Sequence, residues 1–202
     1  ARALGRARRA AASELETRVG AELAALELGR AEFRVGFETL PAKGPDGIEA
    51  PSGPRGQERA ALLLAANPGE EPRRLRDAAS GGELSRLLLA LRNVLRDADG
   101  GRSLLFDEID AGVGGRTARR VGERLRSLGR THQILCITHL PQIAALGRTH
   151  YRLRKRTRAG RTRTAVERLD GDDRVEEIAR MSSGGRVTDV ARAHARELLS
   201  GD

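Results

Sequence analysis

The chain has a single cysteine and no long apolar segment, and each scarcity excludes a class of protein. One cysteine cannot form an internal disulfide, and the position of Cys136 in the apolar sequence QILCITH favours a structural thiol over a nucleophile. No apolar run approaches the roughly 18 residues that a membrane-spanning helix needs, and the first residues lack the regions of a signal peptide. We therefore expect a cytoplasmic protein without a membrane partner.

Lysine is nearly absent as well. The only lysines among the 37 basic residues are Lys43 and Lys155. Neither belongs to the motif G-x-x-x-x-G-K-[ST], whose backbone and lysine cradle nucleotide phosphates. The chain therefore contains no P-loop.

Positive charge is abundant, and the formal net charge of +9 favours a polyanionic partner. The densest basic segment is RLRKRTRAGRTR, residues 152–163, whose pattern predicts a hairpin that turns at residues 159–160. Strand alternation puts four arginines on one face of this hairpin: Arg152, Arg154, Arg156 and Arg158. Nucleic-acid phosphates could bind there, but a solvated edge strand protected by its charges explains the pattern equally well.

The apolar spacing predicts one long helix over residues 1–30, with a stripe made of Leu4, Ala11, Leu15, Val19, Leu23 and Leu26. An amphipathic surface helix and one half of a coiled coil both fit this pattern. Predicted strands follow in AEFRVGFETL and AALLLAAN, separated by a loop rich in proline and glycine.

A serine and two glycines precede a glutamate and an apolar helical run in the segment DAASGGELSR. Ser80 and Glu83 match the capping box that begins many helices. Gly81 and Gly82 leave the first-turn amides uncovered, so an anion such as phosphate could bind the positive end of the helix. An ordinary capped core helix is the alternative.

A strand, a helix and a strand are predicted next: SLLF, a helix near residues 116–128, and QILCITH. If the two strands are parallel, their carboxyl ends lie at one edge of the sheet, where ligands of α/β proteins bind. Asp107, Glu108 and His139 follow those ends, and Asp110 is close by. Asp107 suits a Mg²⁺ ion, Glu108 could polarise an attacking water, and His139 could contact a γ-phosphate. Each residue alone is more often a cap or a satisfied polar group.

Four segments resemble, in order, the motifs of the ABC ATPases. ASGGELSR is similar to the signature motif, SLLFDEID to the Walker B strand with its catalytic glutamate, DAGVGG to the D-loop and CITH to the H-switch. Transporter ATPases usually have the Walker B sequence DEPT, whereas this chain has DEID. This sequence and Glu83 in the signature motif resemble those of the ATPases of chromosome maintenance and repair. Together with THLPQIAA and VEEIARM, they resemble bacterial proteins of double-strand-break repair.

The resemblance implies an α/β fold, the carboxyl-terminal lobe of an ABC-type ATPase head, over residues 31–202. This lobe would contain a mostly parallel sheet flanked by helices, and residues 1–30 would be the returning helix of a coiled-coil arm. ATP and Mg²⁺ are the implied cofactors. The implied partners are an amino-terminal half with the P-loop, a second subunit that forms a homodimer through ATP-sandwiched heads, and DNA of the bacterial nucleoid.

The resemblance also implies a role for each site residue. The turn of Ser80, Gly81, Gly82 and Glu83 would hold the γ-phosphate of ATP bound to the opposite subunit. The subunit's own nucleotide would be served by Asp107 as metal ligand, by Glu108 and His139 as catalytic residues, and by Asp110. Two other functions stay open: a transporter ATPase subunit, and a non-catalytic basic module that binds DNA through the hairpin.

Overall fold

The computed structural model describes residues 2–39, 42–43, 49–50, 56, 58–78, 80–98, 101–158, 161–184 and 186–201. The chain forms two compact units, Ala1–Asp99 and Gly100–Asp202. The first helix packs against the strand that follows it and against a later helix of the same unit. The division into an arm helix of residues 1–30 and a lobe of residues 31–202 stays a prediction.

The first helix, α1 (Arg2–Ala25), buries one narrow face. The predicted stripe is confirmed at Val19 and Leu23, but Ala12 is buried where Ala11 was expected. A helix turns by about 100° per residue, so the residue seven before Val19 returns to its face, whereas the residue eight before it is about 80° away.

Helix α1 ends earlier than the predicted residue 30, in a Schellman motif. The Leu28 amide donates to the Leu23 carbonyl at 2.8 Å, and the Glu27 amide donates to the Ala24 carbonyl at 3.3 Å. Glu27 has a φ of 58°, the left-handed conformation that glycine usually supplies at this position. Because a glutamate takes that place, the sequence carried no glycine signal for the helix end.

Five strands follow: β1 (Glu32–Thr39), β2 (Ala42–Lys43), β3 (Glu49–Ala50), β4 (Glu58–Ala65) and β5 (Arg73–Arg74). They form an antiparallel sheet of order β1-β4-β5 and a separate β2-β3 pair. Both strands predicted from the sequence are present, and Phe33 pairs with Leu64 at a position where both side chains are buried. Most of the predicted loop between β1 and β4 is outside the described residues.

Two helices complete the first unit, the short α2 (Leu75–Ala78) and the longer α3 (Gly81–Leu95). Helix α3 buries Leu87 and Val94 and packs against α1. Arg18 of α1 donates to the Val94 carbonyl at 3.0 Å, which satisfies an acceptor in the last turn of α3.

The second unit begins with the predicted strand, helix and strand, namely β6 (Ser103–Phe106), α4 (Gly115–Leu128) and β7 (Gln133–Cys136). Strands β6 and β7 are parallel, and Phe106 pairs with Cys136 at their carboxyl ends. Both strands therefore deliver the residues that follow them to the same edge.

A hairpin and three helices complete this unit: α5 (Pro141–Ala144), β8 (His150–Arg158), β9 (Arg161–Leu169), α6 (Gly171–Ser183) and α7 (Asp189–Ser200). The predicted hairpin is confirmed, because Arg158 pairs with Arg161. Its predicted turn, residues 159–160, is outside the described part. The helices share a small core that includes Ile178 and Ala195.

The α/β class is confirmed, but the sheets are less parallel than expected. Among the described strands only the β6-β7 ladder is parallel, and the ladders of β1-β4-β5, β2-β3 and β8-β9 are antiparallel. A connection as short as that between β8 and β9 permits only an antiparallel pair, because a parallel pair needs a long crossover. Among the helices of the described residues, none combines the length and apolarity needed to cross a membrane.

Candidate functional site

The predicted signature turn forms the start of α3. Ser80 has the extended conformation of an N-cap residue, and its hydroxyl accepts the Glu83 amide at 3.4 Å. Glu83 returns the contact, because its carboxylate accepts the Ser80 amide at 3.3 Å. The capping box is confirmed, and the contact with phosphate stays a prediction. Ser80 and Gly81 are exposed, whereas Gly82 is buried.

Asp107 and Glu108 form an exposed acidic turn directly after β6. The Asp107 carboxylate accepts the amide of Glu108 at 2.9 Å, and the Glu108 carbonyl accepts the amide of Ala111 at 3.0 Å. Glu108 has a φ of 55°, which is unusual for a residue with a β-carbon. Such strained positions cost about 1–3 kcal/mol and concentrate at functional sites, where surrounding contacts maintain them.

Asp110 lies buried behind this turn, with 5% of its surface exposed, and holds the segment that follows β7. One carboxylate oxygen, Oδ2, accepts two hydrogen bonds, from the Thr138 hydroxyl at 2.6 Å and from the His139 amide at 2.8 Å. The His139 ring nitrogen Nδ1 lies 2.9 Å from the same oxygen. The Thr138 hydroxyl in turn accepts the amide of Leu140 at 3.0 Å.

Asp110 thus contacts Thr138 and His139 through one carboxylate oxygen, whereas the His139 side chain remains 74% exposed. The contact of Asp110 with nucleotide stays a prediction. The prediction that the ends of β6 and β7 meet is confirmed by this pair. The sequence interpretation overlooked Thr138, although a hydroxyl directly before the histidine of CITH was a usable signal.

Cys136 is the last residue of β7. Burial raises the pKa of its thiol to about 12, and the charges of Asp110 and Asp107 add to the shift. The thiol is therefore protonated and unreactive at neutral pH, as expected for a structural cysteine.

The predicted site residues thus fall into two groups. Asp107, Glu108, Asp110 and His139 belong to the second unit, whereas the turn of residues 80–83 belongs to the first. Among the described residues there is no cluster of three or more histidine, cysteine, aspartate or glutamate side chains that could enclose a metal ion.

The basic hairpin is partly committed to internal contacts. The Arg152 guanidinium pairs with Glu167 at 2.7 Å and with Glu177 at 3.2 Å, so it is not the free phosphate ligand that strand alternation suggested. Arg154 is exposed on the same face. Arg156 and Arg158 were also predicted to contact nucleic acid, but their side chains are outside the described part of the structure.

The Smc head domain with a coiled coil and joint from Pyrococcus yayanosii has a similar fold. The match covers 84% of this chain and 29% of that one, with a TM-score of 0.53 and 20% identity. The chain therefore has the fold of a part of an SMC head domain. No family model matches the sequence.

Comparison with curated relatives identifies the protein family. The DNA repair protein RecN of Xylella fastidiosa strain 9a5c is 50% identical over 146 residues, which cover 72% of this chain and 26% of that protein. RecN of Streptomyces coelicolor is 42% identical over 204 residues, covering 98% and 35%, and RecN of Halalkalibacterium halodurans is 39% identical over 198 residues, covering 98% and 34%. The chain belongs to the RecN family, and it spans between a quarter and about a third of the length of these relatives.

Proposed function

We propose that this chain is the carboxyl-terminal lobe of the ATP-binding and hydrolysing head of a RecN-type repair protein. The protein would act in double-strand-break repair through ATP-dependent dimerisation of its heads on DNA. The observation that carries the proposal is the contact of His139 with Asp110 at the carboxyl ends of two parallel strands, beside an acidic Asp-Glu turn. The transporter alternative is not favoured, because the relatives are named as DNA repair proteins.

The acidic turn fits a magnesium ion. Asp107 offers hard carboxylate oxygens at an exposed position, and Mg²⁺ in phosphoryl-transfer sites is usually held by one or two carboxylates, waters and substrate phosphates. In this proposal Asp107 holds the ion, which would neutralise charge on the phosphates of ATP when bound.

Each remaining residue has a role of its own. The Glu108 carboxylate orients the attacking water and accepts its proton. His139 presents its exposed ring toward the γ-phosphate. The turn of Ser80, Gly81 and Gly82 directs the positive end of α3 at the γ-phosphate of ATP bound to the other subunit.

Completion by an amino-terminal half is part of the proposal, for two reasons. The sequence has no P-loop, so the β- and γ-phosphates lack their usual cradle. In addition, the paired residues Leu105 and Leu135 are 61% and 58% exposed on one face of the β6-β7 sheet, and Ile137 follows them with 50% exposure. An apolar sheet face of this kind is normally covered by another layer.

The proposed partners and location follow from charge and relatives together. DNA is the polyanion that a net charge of +9 and a repair role favour, with Arg154 as one exposed arginine of the hairpin. The protein would work on the bacterial nucleoid without a membrane partner, as a homodimer whose heads enclose ATP.

Mixing two variants of the complete protein tests the proposal. Ser80→Arg blocks the turn that serves the opposite subunit, and Glu108→Gln removes the base that serves the subunit's own ATP. Each variant alone should lose turnover. A mixed dimer contains one composite site with both changes and one with neither, so it should recover up to about half of the activity if the sites act independently.

The outcome of this mixture separates the candidate functions. Recovery supports a shared site between two heads. A mixture that stays inactive although mixed dimers form means either that the turn acts on its own subunit's ATP or that both sites must be intact together. DNA binding that needs no nucleotide, with no ATP turnover by the unmodified complete protein, would favour the basic binding module instead.

A further inference from the structure

We propose that Asp110 is a positioning residue that fixes both the orientation and the proton location of the His139 ring. The proposal rests on the proposed function, in which His139 faces the γ-phosphate, and it assigns Asp110 to His139 instead of to the nucleotide. It is based on three distances from Asp110 Oδ2. Thr138 Oγ1 is 2.6 Å away, the His139 amide nitrogen is 2.8 Å away and His139 Nδ1 is 2.9 Å away.

The same oxygen contacts the backbone and the ring of one residue. A ring held at Nδ1 and at its own amide has little freedom to rotate about its side-chain torsions. The Thr138 hydroxyl adds a third donor and also accepts the Leu140 amide, so the loop on both sides of His139 is tied to the carboxylate. Because Asp110 is 5% exposed, water competes poorly for these bonds.

The contact also determines which ring nitrogen carries the proton. An ionised carboxylate only accepts hydrogen bonds, so Nδ1 must carry a hydrogen. In the neutral ring Nε2 is then an acceptor, and it becomes a donor only when the imidazole is protonated. His139 can therefore donate to a phosphate oxygen only as an imidazolium, whose positive charge the carboxylate of Asp110 balances.

The proton location can be measured on the 202-residue chain without nucleotide. Long-range ¹H–¹⁵N spectra recorded over a series of pH values distinguish the imidazolium from the neutral ring and report the tautomer of the neutral ring. The chain has four histidines, and loss of one signal set in His139→Gln assigns the ring. We expect the Nδ1–H tautomer for His139 in the unmodified chain, and its signals in the Nε2–H form would overturn the proposal.

Variants of Asp110 provide the second measurement. Asp110→Ala removes the acceptor, so the neutral ring should move toward the Nε2–H tautomer. Asp110→Asn keeps an oxygen that can accept the same donors, so it should restore the Nδ1–H form. If Asp110→Ala does not fold, as judged by its amide spectrum, the unmodified chain and Asp110→Asn still decide the question. An unchanged tautomer in folded Asp110→Ala contradicts the proposal.

Kinetics of the complete protein separate positioning from direct contact. Asp110→Ala should lower kcat about 10- to 100-fold, the range typical of residues that orient metal-ligating histidines, with KM for ATP within about threefold. Asp110→Asn should recover part of kcat. A raised KM with unchanged kcat would instead assign Asp110 to the nucleotide. If the tautomer responds to Asp110 but His139→Ala leaves turnover unchanged, the proposed role of His139 fails while its orientation by Asp110 is supported.

Discussion

The start of α3 and the carboxyl end of the β6-β7 pair use similar residue types, but their contacts differ in range. Ser80 and Glu83 are three residues apart and cap one helix. Asp110 and His139 are 29 residues apart and meet only when two strands pair. A local contact can form whenever its own helix forms, whereas the second contact needs the tertiary structure of the whole second unit.

The hairpin shows the same contrast within one strand. Arg152 and Arg154 lie on the same face, yet Arg152 is bound by Glu177, 25 residues away, and Arg154 is exposed. Equivalent positions in a sequence pattern can therefore have different tasks. A pattern assigns a face, and the neighbouring element decides whether that face is covered.

The largest expected effect concerns Glu108 in the complete protein. Glu108→Gln keeps the size of the side chain but removes the base, so ATP turnover should fall about 100-fold or more while ATP still binds. Steady-state turnover and nucleotide binding measure this. The matched control is Glu123→Gln, an exposed glutamate of α4, for which turnover should stay within about threefold. Equal effects of the two changes on turnover would show that Glu108 is not the catalytic base.

The next effect compares the two arginines of the hairpin. Arg152→Ala deprives Glu177, whose side chain is 5% exposed, of one charged donor and should lower the free energy of unfolding by about 2 kcal/mol. Arg154→Ala should change it by less than about 0.5 kcal/mol. Urea denaturation of the chain measures both. A similar loss in the two variants would contradict the distinction between bound and exposed arginines.

A smaller effect is expected from acid. The hydrogen bond from Arg180, and after it that from Arg152, hold the pKa of Glu177 below its ordinary value of 4.5. A lowered pKa in the folded state stabilises the protein above the unfolded pKa, and this contribution disappears as pH falls below about 4.5. Glu177→Gln should therefore flatten the loss of stability in that range. The exposed Glu71→Gln serves as control, and identical pH profiles for both variants would refute the linkage.

The smallest effect belongs to the local contact. Ser80→Ala removes the N-cap of α3 and should cost about 1 kcal/mol of unfolding free energy. Ser80→Asp supplies another good cap and should keep stability, but its negative charge should repel a phosphate and prevent head dimerisation in the complete protein. Thermal unfolding and sizing with ATP measure the two roles. If Ser80→Asp dimerises normally, the turn is a helix cap and nothing more.

Much of the fold was predictable because its signals are local. The apolar spacing and the capping box predicted α3, the alternation of apolar residues predicted β1, and short apolar runs predicted β4, β6 and β7. The end of α1 was predicted at residue 30 instead of Ala25, because Glu27 adopts the left-handed conformation that glycine usually has after a helix. Among the described strands, only β6 and β7 form the expected parallel pair, because strand direction depends on pairing partners that a single strand does not specify.

The sequence by itself determined the family, the order of the motifs and the residue types available for chemistry. Identity, spacing and charge are properties of the chain, and folding does not alter them. Only the tertiary structure decided that Asp110 holds His139 and that Arg152 serves Glu177, because each contact joins residues separated by 25 or more positions. A carboxylate acts on whichever donor the fold brings within about 3 Å, and that donor is chosen by the packing of strands and helices.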